Sequence, residues 1–154
     1  MKKGLKVGDK VPEFTLPSHT GETVSMNDLI GKRALVLFFY PKDNSPGCKK
    51  EVCAFRDAYE VFKEEGAEVI GISSDSLSSH EDFAAKHALQ FRLLSDEDNE
   101  VRKMFGAYDM GGIPGRVTYV IDTEGVIRYV FSSQLHPTKH IDEALRVIKE
   151  IRHS

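Results

Sequence analysis

The longest uninterrupted apolar run in the chain is Ala34-Leu35-Val36-Leu37-Phe38-Phe39-Tyr40, bounded by Gly31-Lys32-Arg33 and Pro41. A run with no polar alternation suits a strand covered on both faces, so this segment predicts a central strand. After the turn-rich stretch Pro41 to Gly47 the period changes. Cys48, Val52, Phe55, Tyr59 and Phe62 recur three or four residues apart and form one helical stripe. That helix is expected to end near Gly66, a suitable C-cap.

Downstream, Ala67 to Ser73 reads as a second buried strand, Ser78 to His87 as a helix, and Asp98 to Phe105 as a short helix before Gly106. Arg116 to Asp122, the turn Thr123-Glu124-Gly125 and Val126 to Phe131 predict a hairpin, with Thr138 to Arg152 as a closing helix. Upstream, Phe14-Thr15-Leu16 and Thr23-Val24 flank the polar cluster Ser18-His19-Thr20-Gly21 and predict a small N-terminal hairpin. Strands alternating with helices and ending in a hairpin predict an α/β fold, a mixed sheet with helices on both faces.

Composition narrows the function. A chain of 154 residues with ordinary apolar content suits one domain spanning 1–154. The net charge of −3 comes from interspersed acids and bases, which gives neither a nucleic-acid footprint nor a charged tail. Met1 to Lys10 lacks the apolar core of a signal peptide, and the longest apolar run is too short to span a bilayer. Two cysteines do not make a disulfide scaffold; they favour a reducing compartment, the cytoplasm or an organelle whose targeting peptide has been removed. A small-molecule substrate is expected, with no nucleic-acid or membrane partner.

The chemistry concentrates in Pro41-Lys42-Asp43-Asn44-Ser45-Pro46-Gly47-Cys48-Lys49-Lys50-Glu51-Val52-Cys53. It joins the buried strand to the helix, so Cys48 falls in the first helical turn. Unpaired amides and the helix dipole there favour an anion, and Lys49 and Lys50 add positive charge. Cys48 is therefore a candidate nucleophile. It also lies on the apolar stripe, where a cysteine can simply be structural. A preceding Pro-Gly turn, a hydroxyl at Ser45 and a second thiol at Cys53 are features a structural cysteine does not need.

This segment resembles the active site of peroxiredoxins, in which a proline is followed after three residues by Thr or Ser and, after two more, by the peroxide-attacking cysteine. Pro41, Ser45 and Cys48 fit that pattern. The second cysteine, followed by Ala54-Phe55-Arg56-Asp57, is similar to the Q-type subfamily, the bacterioferritin comigratory proteins. The likeness runs from Gly8-Asp9-Lys10-Val11-Pro12 to His140-Ile141-Asp142. Members more often carry Thr where this chain has Ser45, which keeps the hydroxyl but loosens its rotamer.

The resemblance implies a thioredoxin-like fold and an arginine at the start of a late strand, matched by Arg116 in Pro114-Gly115-Arg116-Val117. It implies that Cys48 attacks the peroxide and becomes a sulfenic acid, with Arg116, the Ser45 hydroxyl and helix amides stabilising the developing charge. Pro41 would cover the site. Cys53 would then close an intrachain disulfide, which thioredoxin or a similar dithiol would reduce. No cofactor or metal is called for, and no dimer is needed, though a weak one is compatible.

Other segments have plainer readings. Glu51 could orient an arginine, but a first-turn acid at a helix dipole explains it equally well. Gly111-Gly112-Ile113-Pro114-Gly115 has no phosphate-loop lysine, and a tight loop presenting Arg116 suffices. A general thiol-disulfide oxidoreductase would want Cys-x-x-Cys, which is absent. A zinc site could draw on Cys48, Cys53, His136 and His140, but the two pairs are far apart in sequence and the histidines read as solvent-facing or capping residues.

Overall fold

The computed structural model describes residues 4–108, 115–133 and 136–152. The elements run β1 (Thr15–Pro17), β2 (Thr23–Ser25), α1 (Met26–Leu29), β3 (Ala34–Phe39), α2 (Pro46–Glu64), β4 (Ala67–Ser73), α3 (Leu77–His87), β5 (Arg92–Ser95), α4 (Glu100–Phe105), β6 (Val117–Ile121), β7 (Ile127–Ser132) and α5 (Lys139–Arg152). The main sheet has the order β5-β4-β3-β6-β7. β3, β4 and β5 run parallel, while β6 and β7 are antiparallel additions. β1 and β2 form the expected N-terminal hairpin.

The central strand explains the two-layered core. Its side chains alternate, so Val36, Phe38 and Tyr40 face one layer while Leu35, Leu37 and Phe39 face the other. The first layer contains Val52, Phe55 and Phe62 of α2, Phe83 of α3 and Ala144 and Ile148 of α5. The second holds Phe14, Met26 and, from α4, Val101 and Phe105. Both faces being covered, every residue of β3 is buried.

Helix α2 forms where its stripe requires it. Ser45 is an extended N-cap, Pro46 supplies a preset first position, and Gly66, at φ +82, turns the chain after the last helical residue. Phe55 stacks on Phe38 with ring centroids 4.4 Å apart, fixing the middle of α2 to β3.

Two elements depart from the sequence reading. β5 is a fifth strand within a segment read as a connection: Arg92-Leu93-Leu94-Ser95 is too short to show a period, and its strand form comes from parallel pairing with β4. α1 is a single turn whose Met26 is buried. Of the loop Gly111 to Gly115, read as presenting Arg116, residues 111–114 lie outside the described residues.

Candidate active site

The end of β3, the start of α2 and the start of β6 converge on Cys48. It occupies the first turn of α2 and is fully buried, and both cysteines are free thiols. Pro41 is half-buried just beyond β3. Ser45 is half-buried, and its hydroxyl donates to the Lys42 carbonyl at 3.2 Å, making no side-chain cap to the helix. Among the described residues that hydroxyl makes no hydrogen bond to Cys48.

Arg116, one residue before β6, is 4% exposed, so it is no water-facing strand end. Its Nη1 donates to Glu51 Oε1 at 2.7 Å. Burial opposes its charge, but Glu51 and Cys48 outweigh that by charge and hydrogen bonding and hold the guanidinium above the ordinary arginine value. Its Nε is buried without a partner among the described residues, which leaves unspent donor capacity. Gly47 lies directly against it: a Cβ there would sit 2.9 Å from Arg116 Nη2. The glycine before Cys48 is thus the space in which the guanidinium rests.

Glu51, weighed in the sequence and set aside, belongs to this cluster. It is fully buried one helical turn beyond Cys48. Burial pushes its carboxyl up to about 8 against the pull of Arg116. Its Oε2 lies 3.5 Å from His140 Nδ1. His140 is buried, which corrects the expectation of a solvent-facing or capping residue. Its Nε2 donates to the Ser133 carbonyl at 2.9 Å, because a carbonyl can only accept. Burial, with Arg116 nearby, lowers it to about 4, so Nδ1 is a bare acceptor that takes the Thr118 hydroxyl at 2.8 Å.

A second buried arginine went unnoticed in the sequence. Arg102 of α4 donates to the carbonyls of Ala107, Gly115 and Tyr40 at 2.7–2.8 Å. It ties the ends of β3 and α4 to the entry of β6, and it is within electrostatic reach of Cys48. An arginine between Val101 and Phe105 on an otherwise apolar face was the available signal.

Cys53 lies further along the same helix as Cys48. It is half-buried, with Sγ 3.6 Å from His87 Nδ1 at the end of α3. The four residues of the zinc alternative are not gathered: Cys53 meets His87, and His140 meets Thr118 and Ser133.

A buried cysteine at a helix start, beneath an arginine from a neighbouring strand, defines a thiol-based redox site, and comparison with known proteins specifies it. Residues 7–130 match the family model described as AhpC/TSA family, and the chain belongs to that family. It is 51% identical over 146 residues to peroxiredoxin Q, chloroplastic, of Triticum aestivum, covering 94% of this chain and 67% of that protein. Peroxiredoxin Q, chloroplastic, of Sedum lineare is 50% identical over 147 residues, 94% of this chain and 78% of that one. The crystal structure of peroxidoxin BcpB from Mycobacterium tuberculosis superposes with a TM-score of 0.88 at 38% identity, covering 96% of this chain and 98% of that one. Within its family the chain is a thiol-dependent peroxidase of the peroxiredoxin Q type, with the thioredoxin-like fold. No helix among the described residues is long and apolar enough to cross a membrane.

Proposed function

We propose that Cys48 reduces hydrogen peroxide and organic hydroperoxides, that Cys53 resolves the product as an intrachain disulfide, and that thioredoxin or a similar dithiol returns both thiols. One observation carries the reading: Arg116 is buried between Glu51 and Cys48, with donor capacity left over. A buried cation over a cysteine at a helix start stabilises negative charge on the sulfur and on the oxygen that departs.

In the first step the Cys48 thiolate attacks one peroxide oxygen, the O–O bond breaks, and the second oxygen leaves as hydroxide or alkoxide. Sulfur becomes a sulfenic acid. Glu51 holds Arg116 in place. Pro41 and Ser45, both half-buried in the loop that leads into Cys48, would cover the site against bulky thiols. The Ser45 hydroxyl, which donates to the Lys42 carbonyl, would turn toward a bound peroxide. Since Cys53 lies on the same chain, a monomer suffices. A compartment that supplies a reducing dithiol is required, whether cytoplasm or organelle.

Peroxide consumption with thioredoxin as reductant tests this. Cys48→Ser should abolish turnover, because a serine hydroxyl without a base is a poor nucleophile. Cys53→Ser should consume about one equivalent and stop at the sulfenic acid. Sustained turnover in Cys48→Ser would refute the assignment.

A further inference from the structure

Resolution asks a different thing of the protein from peroxide attack. Cys53 must give up a proton before its sulfur can attack, since the thiolate is the nucleophile. Cys53 faces α3, where its Sγ lies 3.6 Å from His87 Nδ1, within hydrogen-bond reach of a sulfur. His87 is held both by its backbone and by its ring. Arg56 Nη1 on α2 donates to the His87 carbonyl at 2.9 Å. Phe83 packs edge-on to the ring with centroids 4.9 Å apart. Nε2 is buried with no partner among the described residues, a cost that an apolar residue in the same space would avoid.

We propose that His87 is the general base of the resolving step, a role that rests on Cys53 being the resolving thiol. Nδ1 takes the Cys53 proton. The thiolate electron pair then attacks the Cys48 sulfur of the sulfenic acid, an S–S bond forms, and the S–O bond breaks. The oxygen leaves as hydroxide and becomes water with the proton returned from the imidazolium through solvent. The oxidising equivalent is the sulfenic acid itself, so no further oxidant is needed.

A base must be neutral to accept. Burial, together with Lys86 on α3 and Lys49 and Arg56 on α2, lowers His87 below its ordinary value. With Cys53 held against α3 by His87, Cys48 is the residue that travels. Unwinding the first turn of α2 brings its sulfur back to Cys53 while Phe55 stays stacked on Phe38.

Rapid mixing with acid quench and thiol alkylation separates the two steps: oxidation of Cys48, then conversion of sulfenic acid to disulfide. In His87→Gln the ratio of the second rate constant to the first should fall at least ten-fold at pH 7, with sulfenic acid accumulating. The wild-type second step should slow as acid protonates His87, and the variant should lack that acid-dependent loss. Imidazole added to His87→Gly should restore the rate. An unchanged second step in His87→Gln overturns the proposal, as does a slowed step with the wild-type pH profile and no imidazole rescue, which would make His87 a packing residue. Normal turnover by Cys53→Ser would instead refute the resolving role of Cys53, whatever His87→Gln does.

Discussion

Replacing Gly47 with alanine should make a poorer enzyme, with gained helix propensity offsetting part of the strain the methyl introduces. Gly47 is the second residue of α2, just before Cys48, and the position carries no positive φ. Alanine is favoured over glycine in helices by up to about 1 kcal/mol, which for a chain of this size shifts Tm upward by about 2–4 °C at most. The added methyl, however, would lie 2.9 Å from Arg116 Nη2 and 3.7 Å from Cζ. Ordinary contact requires roughly half an ångström more. The guanidinium must move, and its Nη1 is tied to Glu51 at 2.7 Å. A misplacement of about 1 Å in a reacting site can cost about 10²-fold, so about half that should slow peroxide attack about ten-fold, near 1.4 kcal/mol. Stopped-flow competition for peroxide gives the rate constant, and thermal melts give the stability. A wild-type rate with a normal melt would show that the position of Arg116 does not govern the attack; a rate lost together with helix content would show damage to the fold instead.

Further outcomes follow from the same geometry. His140 is lowered from 6.5 to about 4 in the folded chain, so it contributes stability above pH 6.5 that is lost as pH falls from 6.5 toward 4. The loss is about 3 kcal/mol. Glu51, raised to about 8, drifts the opposite way, losing stability as pH rises from 4.5 to 8; the difference between wild type and His140→Asn in urea titrations across that range therefore isolates the histidine, and a pH-independent difference would contradict it. Oxidation should unwind the start of α2: residues five apart on a helix are separated by about 7.5 Å of rise and about 140°, whereas a disulfide needs Cα atoms within about 7 Å. Circular dichroism should show less helix in the oxidised form, with faster amide exchange from Cys48 to about Phe55; equal signals and protection in both forms would exclude an intrachain bond. Arg116→Ala should slow peroxide attack at least ten-fold, a loss of about 1.4 kcal/mol or more, and an unchanged rate constant would return Arg116 to a structural role.

How far the sequence could be read depends on whether a signal is local. β3 was legible because its seven-residue-wide environment, from Ala34 to Tyr40, contains nothing polar, and α2 because its stripe keeps helical spacing to Phe62. β5 was not, since four residues carry no period and pairing with β4 makes the strand. Cys48 stood out through its neighbours within the loop. Arg116 emerged only through resemblance, because nothing in its own segment says that β6 starts against α2. Glu51 had a usable signal: it sits three residues after Cys48, so a helix carries it toward the same buried side, and a buried acid needs a cation. His87 and Cys53 are thirty-four residues apart and meet only because α3 ends beside α2. His140 misled because a histidine after a Pro-Thr turn reads as a cap, whereas α5 packs it against Thr118 and Ser133.

The central claim, that Cys48 takes the oxygen and Cys53 closes the bond within one chain, is tested most directly by peptide mapping without reductant after one equivalent of peroxide. The account predicts a single cross-linked pair joining the Cys48 and Cys53 segments in a monomer, and, in Cys53→Ser, a dimedone-type adduct on Cys48. A cross-link between two chains, or an adduct on Cys53 in Cys48→Ser, would contradict it.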